Sequence, residues 1–129
     1  MAAIGIDHVV IRVKDIDQGI ANYQKMGYEL TKTLETPGIG KQAIFRFPNG
    51  SFIELVAPLT PDSAVGRAIE SRGEGVHSVV IQTDDFENSV EAMVENGVKV
   101  IQSDDLKDNA FLHPKSTNGV LLQIQKAKS

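Results

Sequence analysis

The chain repeats itself once. Laying His8-Val9-Val10-Ile11-Arg12-Val13-Lys14-Asp15-Ile16 over Ser78-Val79-Val80-Ile81-Gln82-Thr83-Asp84-Asp85-Phe86 pairs position 8 with position 78, an offset of 70 residues. Without a gap, Ile20 then meets Val90, Gly27 meets Gly97 and Leu30 meets Val100. Further on, Asn49-Gly50-Ser51-Phe52-Ile53-Glu54-Leu55 meets Asn118-Gly119-Val120-Leu121-Leu122-Gln123-Ile124 at an offset of 69, a slip that one loop residue absorbs. Two copies of so long a period exclude a solenoid and predict two paired modules that bury one face against each other. With 129 residues, 41% of them hydrophobic and none cysteine, the chain suits one domain whose core needs no disulfide or thiolate metal site. The expectation is a single domain over 1–129, with modules at about 4–57 and 76–125 and a linker helix over 61–73.

Each module reads as βαβββ. Ile4 to Val13 is rich in β-branched residues, as strands are. Asp15 then stands at a helix N-cap with Gln18 as its reciprocal partner. Ile16, Ile20 and Tyr23 share one helical face, and Gly27 ends the helix in a left-handed conformation. The second copy has Asp85 as cap, a stripe of Phe86, Val90, Met93 and Val94, and Gly97 as stop. Extended runs follow at Tyr28–Leu34, Gln42–Phe47 and Ser51–Ala57, then at Val98–Gln102, Asn109–His113 and Val120–Gln125, with an Asn-Gly turn before the last run of each set. Pro61-Asp62 opens the linker helix, with Val65, Ala68 and Ile69 inward and Gly73 at its end. The tail from Lys126 reads as loose.

Strand parity sorts the side chains. Val9, Ile11, Val13, Ile53 and Leu55 cover the first helix, and Val79, Ile81, Leu122 and Ile124 cover the second. His8, Val10 and Arg12 take the other face with Phe52 and Glu54, as do Ser78, Val80, Gln82, Leu121 and Gln123, while His77 turns away. Joining the two open faces would gather His8, Glu54, Ser78 and Gln123. An imidazole and a carboxylate on a half-buried face suit a divalent ion. The alternative is an ordinary hydrogen-bonded polar pair.

The charge balance bounds the partners. Thirteen basic against seventeen acidic residues leave a formal charge of -4, the wrong sign for a broad phosphate-binding face, so no nucleic acid is expected. No apolar run approaches the roughly 18 residues of a membrane span, and Met1 to Val10 has no basic start before a long apolar stretch. A cytoplasmic location with no membrane partner is the expectation.

The duplicated βαβββ pattern joins Ile6-Asp7-His8-Val9, Glu54-Leu55-Val56-Ala57-Pro58, Arg72-Gly73-Glu74-Gly75-Val76-His77 and Phe111-Leu112-His113-Pro114-Lys115-Ser116-Thr117-Asn118-Gly119-Val120-Leu121. Together these resemble the vicinal oxygen chelate superfamily, which includes glyoxalases, bleomycin-resistance proteins and dioxygenases, and within it the methylmalonyl-CoA epimerase branch. The resemblance implies an α+β fold whose tandem modules form a cupped mixed sheet around a metal that polarises neighbouring substrate oxygens. It implies His8, Glu54 and Gln123 as ligands of Zn, Co, Mn, Ni or Fe, held weakly or not at all because Ser78 and Gln123 stand where the family has His and Glu. The third-strand glutamate base of the epimerases has no counterpart in Lys41–Phe47; Glu54, retained at the family's ligand position, is the catalytic candidate. Ser78, Arg12, Gln42, Arg46, Lys115 and Ser116 are the expected substrate contacts, the last two toward a CoA or phosphate end. Two readings stand: a metal-dependent isomerase or lyase acting on an acyl-CoA or small carbonyl compound, and a metal-free binding protein whose pocket is lined by Arg12, Lys41, Arg46 and Gln82. In either case a homodimer is expected.

Overall fold

The computed structural model describes residues 3–102 and 107–127. Two compact units emerge from its contacts. One spans His8–His77; the other combines the chain's first residues, up to Asp7, with those from Ser78 onward. The strands β1 (Ala3–Arg12) and β5 (Gly75–Thr83) each contribute to both units.

In the His8–His77 unit the helix α1 (Ile16–Gln24) follows β1 and is succeeded by β2 (Lys32–Thr36), β3 (Gly40–Arg46) and β4 (Phe52–Ala57). The strand order is β2-β3-β4-β1. Here β1 runs parallel to β4, while β4, β3 and β2 are successively antiparallel. Val13, Ala43, Phe45, Leu55 and Ala57 form the core, against which Ile11, Ile16, Ile20, Tyr23 and Ile53 pack. Ile11, Val13, Ile53 and Leu55 are members expected from parity, because alternate positions on each strand must turn to one side, while Val9 is not among this set and β3 adds Ala43 and Phe45. Asp15 caps α1 by accepting from the backbone N–H groups of Asp17 and Gln18. The expected reciprocal bond is replaced, since Gln18 donates along the helix to Asn22 Oδ1 at 3.1 Å. Gly27 takes φ +87°, as its place after the helix requires.

The linker helix α2 (Ala64–Arg72) begins later than Pro61-Asp62 suggests, because Ser63 supplies the cap through its hydroxyl to Gly66 N–H. A side chain at Gly66 would meet the backbone oxygens of Thr60 and Pro61 at 2.6 Å, so the incoming loop can lie flat on the helix only at a glycine.

The second unit repeats the plan with α3 (Phe86–Glu95), β6 (Val100–Ile101), β7 (Asn109–Leu112) and β8 (Leu122–Lys126), in the order β5-β8-β7-β6. The repeat extends to register: Val9 pairs with Ile53 in the first parallel ladder, and Val79 with Leu122 in the second. Phe86, Val90, Ala110, Leu112 and Ile124 are the core here, with Met93 and Leu122 against it. Two expectations fail. Val94 is 56% exposed, the stripe being completed by Met93 alone. Asp85 adopts a left-handed conformation (φ 48°), makes no side-chain cap to the helix backbone, and accepts instead from the Asn88 side chain. Residues 103–106 and the last two of the tail, 128–129, lie outside the described residues, whereas Lys126, expected in the loose tail, ends β8.

Candidate active site

On the face of β2-β3-β4-β1 opposite the helix, strand register determines which side chains can meet. His8 stands beside Phe52 and Val10 beside Glu54 across the parallel pair. Ile44 stands beside Glu54, and Arg46 beside Phe52, across the antiparallel pair. His8, Glu54 and Gln42 are therefore diagonal neighbours, at a spacing that longer side chains can bridge. Glu54 Oε2 accepts from Gln42 Nε2 at 3.0 Å, and Glu54 Oε1 lies 3.8 Å from His8 Nε2. Their side chains retain only 14% and 11% exposure.

Phe52 orients the imidazole of His8. Its ring lies parallel to the His8 imidazole at 4.2 Å between centroids, and the Arg46 guanidinium sits 4.6 Å from the ring centre. Since β4 lies between β1 and β3, the register brings His8 and Arg46 to Phe52 from opposite flanks. Arg46 also donates to Gly50 O at 3.1 Å, which ties it to the β3–β4 turn.

Arg12 shares the face but has another employment. It is buried, with Nε donating to Gly73 O at 2.7 Å and Nη1 to Val76 O at 2.8 Å, and so clamps the segment leading into β5. Burial, and then the neighbouring Arg72, lower its pKa from the ordinary arginine value. His77 belongs to the same basic neighbourhood: its Nδ1 is buried without a hydrogen-bond partner, and burial followed by Arg12 and Arg72 lowers its pKa. Lys41, expected beside Arg12 and Arg46, is exposed.

The remaining expected residues lie in the other unit. Ser78 is buried. Gln123 donates to Asn109 Oδ1 at 2.8 Å, which leaves its amide oxygen as an acceptor. Gln82 donates to Asp7 Oδ1 at 2.8 Å. Lys115 lies exposed in a 3₁₀ turn (Pro114–Ser116) capped by His113, whose Nδ1 accepts from Lys115 N–H. The Ser116 hydroxyl accepts from Lys99 N–H at 2.9 Å. His113 and Ser116 thus shape this loop.

Sequence reasoning misses Thr36 and the stacking role of Phe52. The Thr36 hydroxyl donates to Gln42 Oε1 at 2.6 Å. Ending the strand at Leu34 hides it, because β2 continues to Thr36, paired with Gly40 across a three-residue turn. The signal was there in Pro37-Gly38, a turn that places Thr36 one diagonal step from Gln42.

His8 and Glu54 can serve one divalent ion, because two donors each about 2.1 Å from a common ion can stand up to about 4 Å apart. Among the described residues no group of three His, Cys, Asp or Glu gathers, so further protein ligands would have to be neutral oxygens. This donor set suits weak binding.

The fold matches a known class. Residues 6–111 match the model of the Glyoxalase/Bleomycin resistance protein/Dioxygenase superfamily, and the chain belongs to it. It is 29% identical over 129 residues to the ethylmalonyl-CoA/methylmalonyl-CoA epimerase of Cereibacter sphaeroides, covering 94% of this chain and 96% of that one. Among solved structures, a hypothetical protein of Bacillus halodurans C-125 superposes with a TM-score of 0.85 at 31% identity, covering 96% of this chain and 94% of the other. A Streptomyces coelicolor methylmalonyl-CoA epimerase variant in complex with 2-nitronate-propionyl-CoA gives 0.83 at 28% identity, with 98% and 99% covered.

Proposed function

We propose that this protein is an isomerase or lyase that moves the proton on the carbon next to a carbonyl, in an acyl-CoA thioester of the methylmalonyl type or a related small carbonyl compound. The observation that carries the reading is the Glu54 carboxylate, largely withdrawn from water, with one oxygen held by Gln42 and the other directed toward His8. A fixed carboxylate in reach of a carbon acid is what a general base requires. Glu54 Oε1 takes the α-proton, the electron pair moves to the carbonyl oxygen, and the proton returns to carbon. His8 and Glu54 would hold a divalent ion such as Zn, Co, Mn, Ni or Fe, with Oε1 of Glu54 a ligand only when it is not engaged with the α-proton. When bound, such an ion polarises the carbonyl and stabilises an enolate. Relatives named as methylmalonyl-CoA epimerases, one of them holding a propionyl-CoA nitronate, support the substrate class.

The test is exchange of the α-hydrogen of methylmalonyl-CoA in heavy water, followed by mass spectrometry. Wild type should exchange it, and Glu54→Gln should lose at least about a hundredfold, the usual worth of a general base. No exchange by wild type, loaded in turn with each of the five metals, would remove epimerase chemistry.

A second reading, a metal-free binding protein, is favoured by the donor set itself, which has two ionisable members where a tightly held ion usually has three or more. Elemental analysis of protein purified without chelator, beside His8→Ala, separates the two: metal in wild type alone supports the enzyme. Under either reading we expect a cytoplasmic homodimer; sedimentation of the purified chain checks the dimer.

A further inference from the structure

Thr36, Gln42, Glu54 and His8 lie on one diagonal line across four successive strands, β2, β3, β4 and β1. Hydrogen-bond bookkeeping along this line is unusually restrictive. An ionised carboxylate can only accept, so Gln42 must present its NH₂ to Glu54. The amide oxygen of Gln42 then has to face β2, where it needs a donor, and the Thr36 hydroxyl supplies one. Turning the amide over would set its carbonyl against the carboxylate and leave Glu54 Oε2 without that donor. Gln42 is itself buried, which makes an unmatched amide end costly.

We propose that Thr36 is a positioning residue: its hydroxyl locks the Gln42 amide in the one orientation that donates to Glu54 Oε2, and so aims Oε1 toward His8. Thr36 acts two side chains away from the carboxylate and touches neither His8 nor Glu54. Gln42 is thereby a positioning residue as well, its amide spent at both ends inside the protein. The inference deepens the reading of Glu54 as a base and rests on it for its catalytic consequence; the geometry of the chain does not need it.

Two readouts keep the ideas apart. In ¹⁵N-labelled protein the Gln42 side-chain NH₂ signals, identified by their absence from Gln42→Leu, should exchange slowly with solvent. Thr36→Val, which keeps the β-branched shape but has no hydroxyl, should speed that exchange and shift the signals, and Thr36→Ser should restore both. If wild type catalyses α-proton exchange, Thr36→Val should lower kcat roughly two- to tenfold, the range of one net hydrogen bond, with KM unchanged and Thr36→Ser again restoring it. Gln42 signals identical in wild type and Thr36→Val would overturn the proposal, whatever the activity. A fall in kcat that Thr36→Ser does not restore would also overturn it, since it would trace to packing. Inactivity of wild type together with the expected Gln42 signals would sink the base chemistry and leave the positioning chain standing.

Discussion

Replacing Arg12 by methionine should cost stability, and the amount follows from two hydrogen bonds. Arg12 Nε and Nη1 donate at 2.7 and 2.8 Å to the carbonyls of Gly73 and Val76, more than sixty residues away in sequence. Methionine fills similar volume and donates nothing. Each charge-assisted bond is worth about 1.5–3 kcal/mol, and a carbonyl left unpaired in this partly buried setting costs at most about 1–3 kcal/mol; these are overlapping descriptions of one loss. Against it stands relief of the desolvation that lowers the Arg12 pKa. The net expectation is about 2–4 kcal/mol, which at a urea m-value of roughly 2 kcal/mol/M moves the unfolding midpoint down by about 1–2 M. Arg12→Lys should recover less than half, because one ammonium cannot reproduce the fork that reaches both carbonyls. The assay is urea unfolding followed by circular dichroism, with amide hydrogen exchange over residues 73–77 as the local readout. A midpoint shift under about 0.3 M, with unchanged exchange in that segment, would refute the clamp and return Arg12 to the role of a ligand contact.

Three shorter predictions follow from other contacts. Burial and the cations of Arg12 and Arg72 lower the His77 pKa below the ordinary value of 6.5, so the unfolded chain takes up this proton first. The stabilisation is therefore complete above about pH 6.5 and drains away as pH falls; the urea midpoint of wild type minus that of His77→Gln should shrink between about pH 7.5 and about 5.5, and a constant difference would contradict this. Leu55→Ala removes a fully buried core side chain touched by Val13 and α1, and should cost about 2–5 kcal/mol by the same unfolding assay. Gly40→Ala should cost more than about 1 kcal/mol, because φ is +143° there and the new Cβ would run into the Ala57 carbonyl; full stability of this variant would show that β3 and β4 can separate locally.

Much of this was legible in the residues. The 70-residue offset anticipates two parallel ladders in equivalent register, and alternation in β1 and β4 suffices to put His8 and Glu54 on one face with Leu55 on the other. These succeed because a strand's period of two leaves an apolar set only one side to occupy. Parity assigns a face and says nothing of what a side chain grips. Arg12 and Gln42 thus read as substrate contacts, while the folded chain occupies both, one on distant carbonyls and one between Thr36 and Glu54. Asp85 shows the same limit at a helix start, where identical letters in the two copies give a cap in one and a left-handed turn in the other.

By itself, then, the sequence determined the duplicated βαβββ plan and the placing of an early imidazole on the same face as a glutamate 46 residues later, since these depend on local period and spacing alone. Only the tertiary structure decided the diagonal from Thr36 to His8, the stacking of His8 on Phe52 and the clamp made by Arg12. Those contacts depend on how adjacent strands slide and twist against one another, which sets the atoms within hydrogen-bond reach and has no signature in any single stretch of chain.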